Sequence, residues 1–429
     1  MEVIGMNHPH HHHHQHAVSA AASAVLVSSS SSRRISFVNV FSASREVTFP
    51  LRAIRTLALA ITSLISFIPV WKLYLPGYWL SKNGQDSGNR LFKQGRSATG
   101  AAATAATTAA MKAYNEVNDP QVRRNLAQNL SHLLVGPLCT ENWDSERQVR
   151  SFVNSRSQTV FTQSWLPVAN ENLRGVVILL HGLNEHSGRY AYFASKLNAR
   201  GYGVFGMDWI GHGGSDGLHG YVESLDHVVH DTKLFVKQVA AEYPNVPLFI
   251  FGHSTGGAIA LKTSVVLDNE PMLKGVILTS PAVRVRASHP LVAALAPIFS
   301  LILPRYQFKG ASRSGASVSR DPNALLAKYS DPLVYTGPVR IRTGTEILRI
   351  CSFLMKNLEK ITTPFLVMHG SDDQVTDPEG SRELYSRASS SHKSIQIYDG
   401  LLHDLLFEYE KDDIIQDIIE WLDSRLLHV

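Results

Sequence analysis

The chain has 429 residues, 44% of them hydrophobic and 18% charged, with a formal net charge of +5 at pH 7. This composition is typical of a globular core, and the length allows one large domain or a few ordinary ones. The positive charge is not gathered into a long Lys/Arg run, and zinc-finger and RNP-like spacings are absent, so the sequence argues against nucleic-acid binding.

The first 55 residues form a leader of biased composition. A His-rich tract, His10 to His14, precedes an Ala/Ser-rich stretch from Ala17 to Ser32. Arginines outnumber acids here, which is typical of a transit peptide and consistent with a chloroplast location. Simple disorder is an equally good interpretation, and we interpret the histidines as a solvated tract rather than a metal site.

An apolar segment follows at residues 56–80 and carries no charge as far as Trp71. Its uncharged part is shorter than the roughly 20 residues that a spanning helix needs. Arginines before it and Trp and Tyr residues near its end favour a membrane anchor or an interfacial helix. We therefore expect membrane association through this segment; the alternative is a helix packed on the globular domain.

The next two segments carry no chemistry. Residues 81–118 are interpreted as a low-complexity linker and residues 119–158 as a helical lead-in. Asp119 can cap a helix that begins at Pro120 and stops before Gly136.

From about residue 159, short apolar strands alternate with amphipathic stretches. The strand candidates are Val160–Trp165, Val176–Leu180, Gly203–Met207, Leu248–Phe251, Val276–Leu278, Phe365–Met368 and Ile395–Tyr398. This alternation predicts an α/β fold whose mostly parallel, doubly wound sheet is flanked by helices, with a core at 159–283 and 361–429. Ligands of such sheets bind at the carboxyl ends of the strands.

One strand end carries a nucleophile motif. The sequence GHSTG, Gly252 to Gly256, joins the apolar strand Leu248–Phe251 to a stretch that can open a helix. A strand, a sharp turn and a helix are the setting of a nucleophile elbow, with Ser254 at its tip. An ordinary Gly/Ser loop has the same letters, but the flanking elements favour the nucleophile.

A second strand end predicts an oxyanion hole. Val176–Leu180 runs into His181-Gly182, a turn typical of α/β-hydrolases, in which one oxyanion donor comes from this turn and the other from the residue after the nucleophile. This assigns the two donors to the backbone N–H groups of Leu183 and Thr255.

Two more strand ends supply an acid and a base. Three acids, Asp372, Asp373 and Asp377, follow Phe365–Met368, and His403 follows the last strand. The order nucleophile, acid, histidine is that of α/β-hydrolases. The residues alone leave the choice among the three acids open.

The remaining polar strand end is the Gly-rich loop from Asp208 to Gly217, which also contains His212. Asp and His together can suggest a metal site, but such spacing is also how a tight loop is built. We interpret it as structural and predict no metal site.

The segments HGLNEHSGRY, GHSTGG, HGSDDQVTDP and YDGLLHDLLFE together resemble the monoacylglycerol lipases, and above all their plant branch, over about residues 160–429. The resemblance implies that Asp373 is the acid and that Glu185 and Arg189 border the glycerol end of the pocket. It implies no cofactor, and a helical cap or lid at residues 284–360, where the apolar run Leu291 to Leu303 agrees with a flap that excludes water. Thr255 departs from the Met common after the family's nucleophile, and would make the pocket floor more polar.

The predicted function is hydrolysis of carboxylic esters, monoacylglycerol above all, through an acyl-enzyme. Ser254 is the expected nucleophile, His403 the base and Asp373 the orienting acid. The expected partners are a lipid ester substrate and a membrane surface. The alternatives are a carboxylesterase or lysophospholipase acting on other lipid or phenolic esters, an aminopeptidase on the same scaffold and, outside enzymes, a ligand receptor that keeps the fold.

Overall fold

The computed structural model describes residues 118–129, 145–168, 173–267, 273–285, 290–307 and 317–426. The leader, the apolar segment at 56–80 and nearly all of the linker lie outside the described residues, so their assignments stay predictions. None of the described helices combines the length and the hydropathy that crossing a bilayer requires.

The described residues form one eight-stranded sheet in the order β1-β2-β4-β3-β5-β6-β7-β8. Its first two strands pair antiparallel, β2 also lies antiparallel to β4, and all later pairings are parallel. The strands are β1 Ser145–Val153, β2 Thr159–Pro167, β3 Gly175–Leu180, β4 Tyr202–Met207, β5 Leu248–His253, β6 Leu273–Thr279, β7 Phe365–Gly370 and β8 Lys393–Tyr398. The predicted mostly parallel α/β sheet is confirmed.

Helices cover both faces of this sheet. They are α1 Pro120–Asn129, α2 Ala191–Asn198, α3 Leu225–Glu242, α4 Thr255–Val266, α5 Pro290–Ile302, α6 Pro322–Ser330, α7 Ile341–Met355, α8 Pro378–Arg387 and α9 Lys411–Leu426. Alternate residues of each central strand enter one of two apolar clusters, the first shared with α3, α4 and α7 and the second with α2 and α9. Burial on both faces explains why the central strands are apolar throughout.

The predicted helical lead-in at 119–158 is wrong in its second half, because residues 145–153 form strand β1. Its sequence, SERQVRSFV, has no consistently buried face, and it pairs with β2 along its whole length at the sheet edge. An edge strand without an apolar face gives no period-two signal. The start of α1 is confirmed: the Asp119 side chain accepts a hydrogen bond from Gln121 N–H, and Pro120 opens the helix.

A buried arginine fixes α1 to the loop that follows β4. Arg123 is fully buried and donates to the carbonyl oxygens of Gly213, Ser215 and Gly217. Burial lowers the pKa of this guanidinium to about 10, so Arg123 is charged at neutral pH. These bonds hold the Gly-rich loop in place and give the loop a structural role.

The insertion between β6 and β7 holds α5, α6 and α7. Helix α7 belongs to the core, because Ile350, Cys351 and Leu354 are buried in the cluster shared with α3 and α4. Glu346 of α7 also accepts a hydrogen bond from Leu225 N–H at the start of α3. The predicted cap at 284–360 therefore ends before α7, which is part of the core.

Candidate active site

Ser254 sits at the turn between β5 and α4. Its backbone has φ 54° and ψ −120°, a conformation that is costly for a residue with a side chain. A Cβ at Gly256 would lie 2.3 Å from the carbonyl oxygens of Leu180 and His181, so the turn approaches the end of β3 too closely for any residue but glycine. The strained turn therefore presents the Ser254 hydroxyl at the carboxyl end of the sheet.

His403 connects Ser254 to an acid. Its Nε2 lies 2.8 Å from Ser254 Oγ, and its Nδ1 lies 2.7 Å from Asp373 Oδ2. The Ser280 hydroxyl donates to the His403 carbonyl oxygen over 2.7 Å, which fixes the loop after β8 against the end of β6. The structure thus brings together the three side chains that the sequence singled out.

Asp373 is fully buried, and both its oxygens accept hydrogen bonds. Oδ1 accepts from the backbone N–H groups of Val375 and Thr376, and Oδ2 lies 2.7 Å from both His403 Nδ1 and Thr376 Oγ1 and 3.0 Å from His369 Nε2. Burial alone would raise the pKa of this carboxyl, but His403 and His369 beside it hold the pKa well below its ordinary value. Asp373 is therefore a carboxylate at neutral pH.

The other two acids of this loop have different environments. Asp372 is exposed. Asp377 caps α8 by accepting from Glu379 N–H and forms an ion pair with Arg284 at 2.7 Å. Of the three candidates, Asp373 is the one that meets His403.

The loop after β3 lies against the nucleophile. A Cβ at Gly182 would lie 3.4 Å from Ser254 Cβ and 2.9 Å from Glu185 Oε1. Leu183 follows Gly182, and Thr255 occupies the first position of α4, where backbone N–H groups point away from the helix. Both residues whose N–H groups were predicted to hold an oxyanion therefore flank Ser254.

Glu185 and Arg189 lie behind this loop rather than at an open pocket wall. Glu185 Oε1 accepts from Gly182 N–H and from the Tyr190 hydroxyl, each over 2.7 Å, and Oε2 pairs with Arg189. The Arg189 guanidinium also stacks over the Phe407 ring at 4.1 Å. Because both side chains are buried and occupied, the geometry favours a role in holding the loop over the predicted contact with glycerol.

The positive charges beside Glu185 outweigh the effect of its burial. Burial alone would raise the pKa of the Glu185 carboxyl, but Arg189 and Lys328 bring it well below its ordinary value. The Glu185 carboxylate can therefore accept the Gly182 N–H bond at any pH near neutrality.

Sequence reasoning missed Asp404, the residue after His403. Its Oδ2 lies 2.7 Å from Lys328 Nζ, and its Oδ1 lies 3.3 Å from His253 Nε2. Lys328 stands 76 positions away in the cap, so no spacing in the sequence links the two.

His253, His403 and Asp404 bring possible metal-ligand atoms within 4.8 Å of one another. Two observations argue against a cation there: Lys328 and Arg189 already face the Asp404 carboxylate, and His403 Nε2 faces Ser254. We assign no metal to this cluster.

The loop after β4 is built around Asp208. Its carboxylate accepts from the backbone N–H and the hydroxyl of Ser187 and from Gly214 N–H, over 2.6–3.0 Å. These contacts give it a structural role, in line with the interpretation of this loop as a tight turn. They also connect the loop to the segment that follows Glu185.

A cavity of about 520 Å³ lies between the loop after β4 and the cap, lined by residues such as His219, Gln307 and Tyr335. None of the predicted site residues lines it. One of its lining residues, Asp331, pairs with His186 in the loop after β3.

Comparisons with known proteins agree with this geometry. The family model described as serine aminopeptidase, S33 (Hydrolase_4) matches residues 171–410. The chain is 29% identical to a monoacylglycerol lipase of Mycolicibacterium smegmatis, over 66% of this chain and 99% of that protein. It is 30% identical to a caffeoylshikimate esterase of Arabidopsis thaliana, over 65% of this chain and 86% of that protein.

Among solved structures, the crystal structure of a monoacylglycerol lipase of Paleococcus ferrophilus superposes with a TM-score of 0.55 at 28% identity. The match covers 65% of this chain and 99% of that one. The residues matched by the family model, 171–410, include the strands from β3 to β8 and the insertion between β6 and β7.

Proposed function

The chain belongs to the serine aminopeptidase, S33 family, it has the α/β-hydrolase fold and it is a serine ester hydrolase; on that premise we propose that it cleaves monoacylglycerol to a fatty acid and glycerol. The observation that carries the proposal is the continuous array Ser254–His403–Asp373, with distances of 2.8 and 2.7 Å. Relatives named as monoacylglycerol lipases, matched over nearly their full length, support the substrate class.

The array accounts for formation of the acyl-enzyme. Ser254 Oγ attacks the ester carbonyl while His403 Nε2 takes its proton, and Asp373 holds the His403 ring with Nδ1–H directed at its carboxylate. His403 then returns the proton to the departing glycerol oxygen. Water attacks the acyl-enzyme by the same proton transfers in reverse and releases the fatty acid.

The developing oxyanion is held by the N–H groups of Leu183 and Thr255 in this proposal. Thr255 contributes from the N-terminus of α4, where the helix dipole favours negative charge. Donors placed before the reaction are worth several kcal/mol at the transition state. Glu185 supports this arrangement by binding Gly182 N–H next to Leu183.

The cap supports a lipid substrate. Helix α5 has the sequence PLVAALAPIFSLI, without a charged residue. Ile298 and Leu301 on α5, and Leu326 and Tyr329 on α6, are between 54% and 77% exposed. Exposed apolar side chains on the cap suit an acyl chain delivered from a lipid surface.

We also propose that the protein works at a membrane, held there by residues 56–80, and that the leader at 1–55 directs it to the chloroplast. Cell fractionation tests the anchor by comparing the full chain with one that lacks residues 1–80. The shorter chain is expected to move to the soluble fraction. Equal partition of both chains into membranes would contradict the proposal that this segment anchors the protein.

A second candidate is a phenolic ester, because one relative is a caffeoylshikimate esterase at 30% identity. A peptide substrate is less well supported. Glu185 in the loop after β3 and Asp404 in the loop after β8 are paired with Arg189 and Lys328 and are not free to bind a peptide's amino group. Peptidase activity is therefore not proposed.

A panel of esters separates these candidates. The purified chain is given monoacylglycerols of several acyl lengths and caffeoyl and feruloyl esters, with the Ser254→Ala variant as the blank. We expect kcat/KM to be at least about tenfold higher for the acylglycerols, because uncharged apolar contacts of the cap favour an acyl chain. A preference for the phenolic esters would replace the proposed substrate by the second candidate.

A further inference from the structure

One stretch of the cap, residues 317–335, contacts both loops that carry the reaction. We call this stretch the brace. It contains α6, Pro322–Ser330, which Asp321 caps by accepting from Asn323 N–H. The brace touches the loop after β8, which holds His403, and the loop after β3, which holds Leu183.

The first end of the brace is bonded to the His403 loop. Asp404 N–H donates to the Val318 carbonyl over 2.7 Å, and the Ser319 hydroxyl donates to the Phe407 carbonyl over 2.9 Å. Glu408 closes the same loop, because its carboxylate accepts from Leu402 N–H and from Arg320 N–H. Cap residues thus bond directly to the backbone after His403, and Glu408 links Leu402, before His403, to Arg320 of the cap.

Lys328 adds a buried ion pair to these contacts. Its Nζ lies 2.7 Å from Asp404 Oδ2, and the two side chains are 14% and 1% exposed. Arg189, at 3.8 Å, and His253, at 3.3 Å, also face Asp404, and the buried Glu185 carboxylate and the Tyr190 hydroxyl interact with it electrostatically. Lys328 is the cation closest to the carboxylate next to the base.

His403 itself faces few other groups that change charge. Asp373 and Ser254 lie at its two ring nitrogens, Thr376 Oγ1 lies 3.3 Å from Nδ1, and the His253 ring stands 4.9 Å away. His369 also interacts with it, across the Asp373 oxygen that both rings approach. Uncompensated charge on Asp404 would therefore act directly on the proton affinity of the base.

The second end of the brace is bonded to the oxyanion loop. Asp331 Oδ2 lies 2.8 Å from His186 Nε2, and both side chains are buried. Tyr335 N–H donates to the Asn184 carbonyl over 2.8 Å. Asn184 adjoins Leu183 and has a φ of 65°, a left-handed conformation that this hydrogen bond helps to hold.

We propose that Lys328 is a positioning residue of the reaction: it neutralises Asp404 and so fixes both the place and the proton affinity of His403. Asp331 holds the oxyanion loop in place through its pair with His186. The inference rests on the proposed ester hydrolysis at Ser254. It makes the 317–335 part of the cap a support for the catalytic loops.

The test compares five proteins: wild type, Lys328→Met, Lys328→Arg, Asp404→Asn and the control Lys356→Met, which changes an exposed lysine after α7. Each is assayed for kcat and KM on a soluble short-chain ester, for the rate of labelling by a fluorophosphonate and for the pH dependence of kcat/KM. The acid-side midpoint of that profile reports the base of the free enzyme.

Lys328→Met is expected to lower kcat and the labelling rate about tenfold with little change in KM, because the base is misplaced and not the substrate. Its acid-side midpoint moves up by about one pH unit, since an unbalanced carboxylate favours protonated His403. Asp404→Asn moves the midpoint down, because it leaves the Lys328 ammonium unbalanced. Lys328→Arg keeps most of the activity, and Lys356→Met matches wild type.

Opposite shifts from the two charge-removing variants cannot come from a loss of packing alone. If Lys328→Met and Asp404→Asn both keep the wild-type pH profile and kcat, the inference is wrong. If Lys328→Met does not fold, the direction of the Asp404→Asn shift decides in its place. A wild-type chain that neither takes the label nor cleaves an ester overturns the proposed function itself, and the inference with it.

Discussion

The Asp373 carboxylate is the point at which most hydrogen bonds of the described site meet. The carboxylate accepts from two backbone N–H groups, and its Oδ2 also serves Thr376, His403 and His369. Burial lowers the pKa of His369, so this ring is neutral, and Ser381 Oγ lies 2.7 Å from its Nδ1. A neutral His369 that accepts from Ser381 must donate from Nε2 to Asp373. The acid is thus oriented by a second histidine.

Replacing Asp373 by Asn tests this orienting role. An amide cannot hold His403 in the tautomer that accepts the Ser254 proton, so kcat is expected to fall by about three to four orders of magnitude, as in serine proteases with the same change. Ester turnover is the measurement, with unfolding temperature checked in parallel. The matched control is Asp372→Asn, one residue away and exposed, which should keep wild-type turnover.

Sequence could predict Ser254, Asp373 and His403 because each follows a short apolar strand, and parallel strands bring their ends to one edge. It could not predict the charges around them. Asp404 looks like any polar loop residue, and its partner Lys328 is distant along the chain. Glu185 and Arg189 were noticed through resemblance, but only the folded chain shows that both are buried and paired.

At the scale of elements, α6 and the loop after β3 are joined by the His186–Asp331 pair. Burial alone would lower the pKa of His186, but Asp331 raises it above its ordinary value. Burial alone would raise the pKa of Asp331, but His186 lowers it. The pair is therefore fully charged between the ordinary carboxyl and imidazole ranges, about pH 4 to 6.5.

The pH dependence of stability follows from these two directions. The contribution of His186 is complete below its unfolded pKa and is lost as pH rises through its raised folded pKa. The contribution of Asp331 is complete above its unfolded pKa and is lost as pH falls through its lowered folded pKa. The stabilisation by the pair is therefore greatest in mildly acidic solution and declines on the alkaline side.

Asp331→Asn is expected to lower the free energy of unfolding by about 3 kcal/mol near pH 5.5, because it leaves a buried imidazolium without its partner. The loss should shrink as pH rises above the raised pKa of His186. Denaturant unfolding at a series of pH values measures it. Asp321→Asn, in the cap position of the same helix, is the control, since Asn caps as well as Asp. A loss independent of pH would contradict the charged state of the pair.

The sequence predicts the strands whose apolar pattern matches their burial. It does not predict contacts that depend on polar groups from distant parts of the chain. β5 and β7 are buried on both faces and read as apolar runs. β1 is held mainly by its hydrogen-bonded ladder with β2 and leaves no periodic signal. The start of α1 could be predicted from its cap, but not the contacts of Arg123 that fix it to the loop after β4. Helix α7 was assigned to the cap because it interrupts the strand–helix alternation, yet its apolar face completes the core.

For the molecule as a whole, the sheet order explains how distant residues meet. β5 lies between β3 and β6, and β7 and β8 follow, so the loops after β3, β5, β7 and β8 open at the same edge. The oxyanion loop, nucleophile, acid and base come from these four loops. Apolar burial on both faces fixes the strand register, and the register fixes the distances among the four groups.

The central claim is that Ser254 is the nucleophile of an ester hydrolase, and one measurement tests it most directly. Wild type and Ser254→Ala are treated with a fluorophosphonate in detergent, digested and examined by mass spectrometry, while hydrolysis of a monoacylglycerol is followed on the same samples. The account predicts label on the Ser254 peptide of the wild type, no label on the variant, and a loss of hydrolysis of at least about three orders of magnitude. Label on another residue, or hydrolysis by the variant at the wild-type rate, would contradict it.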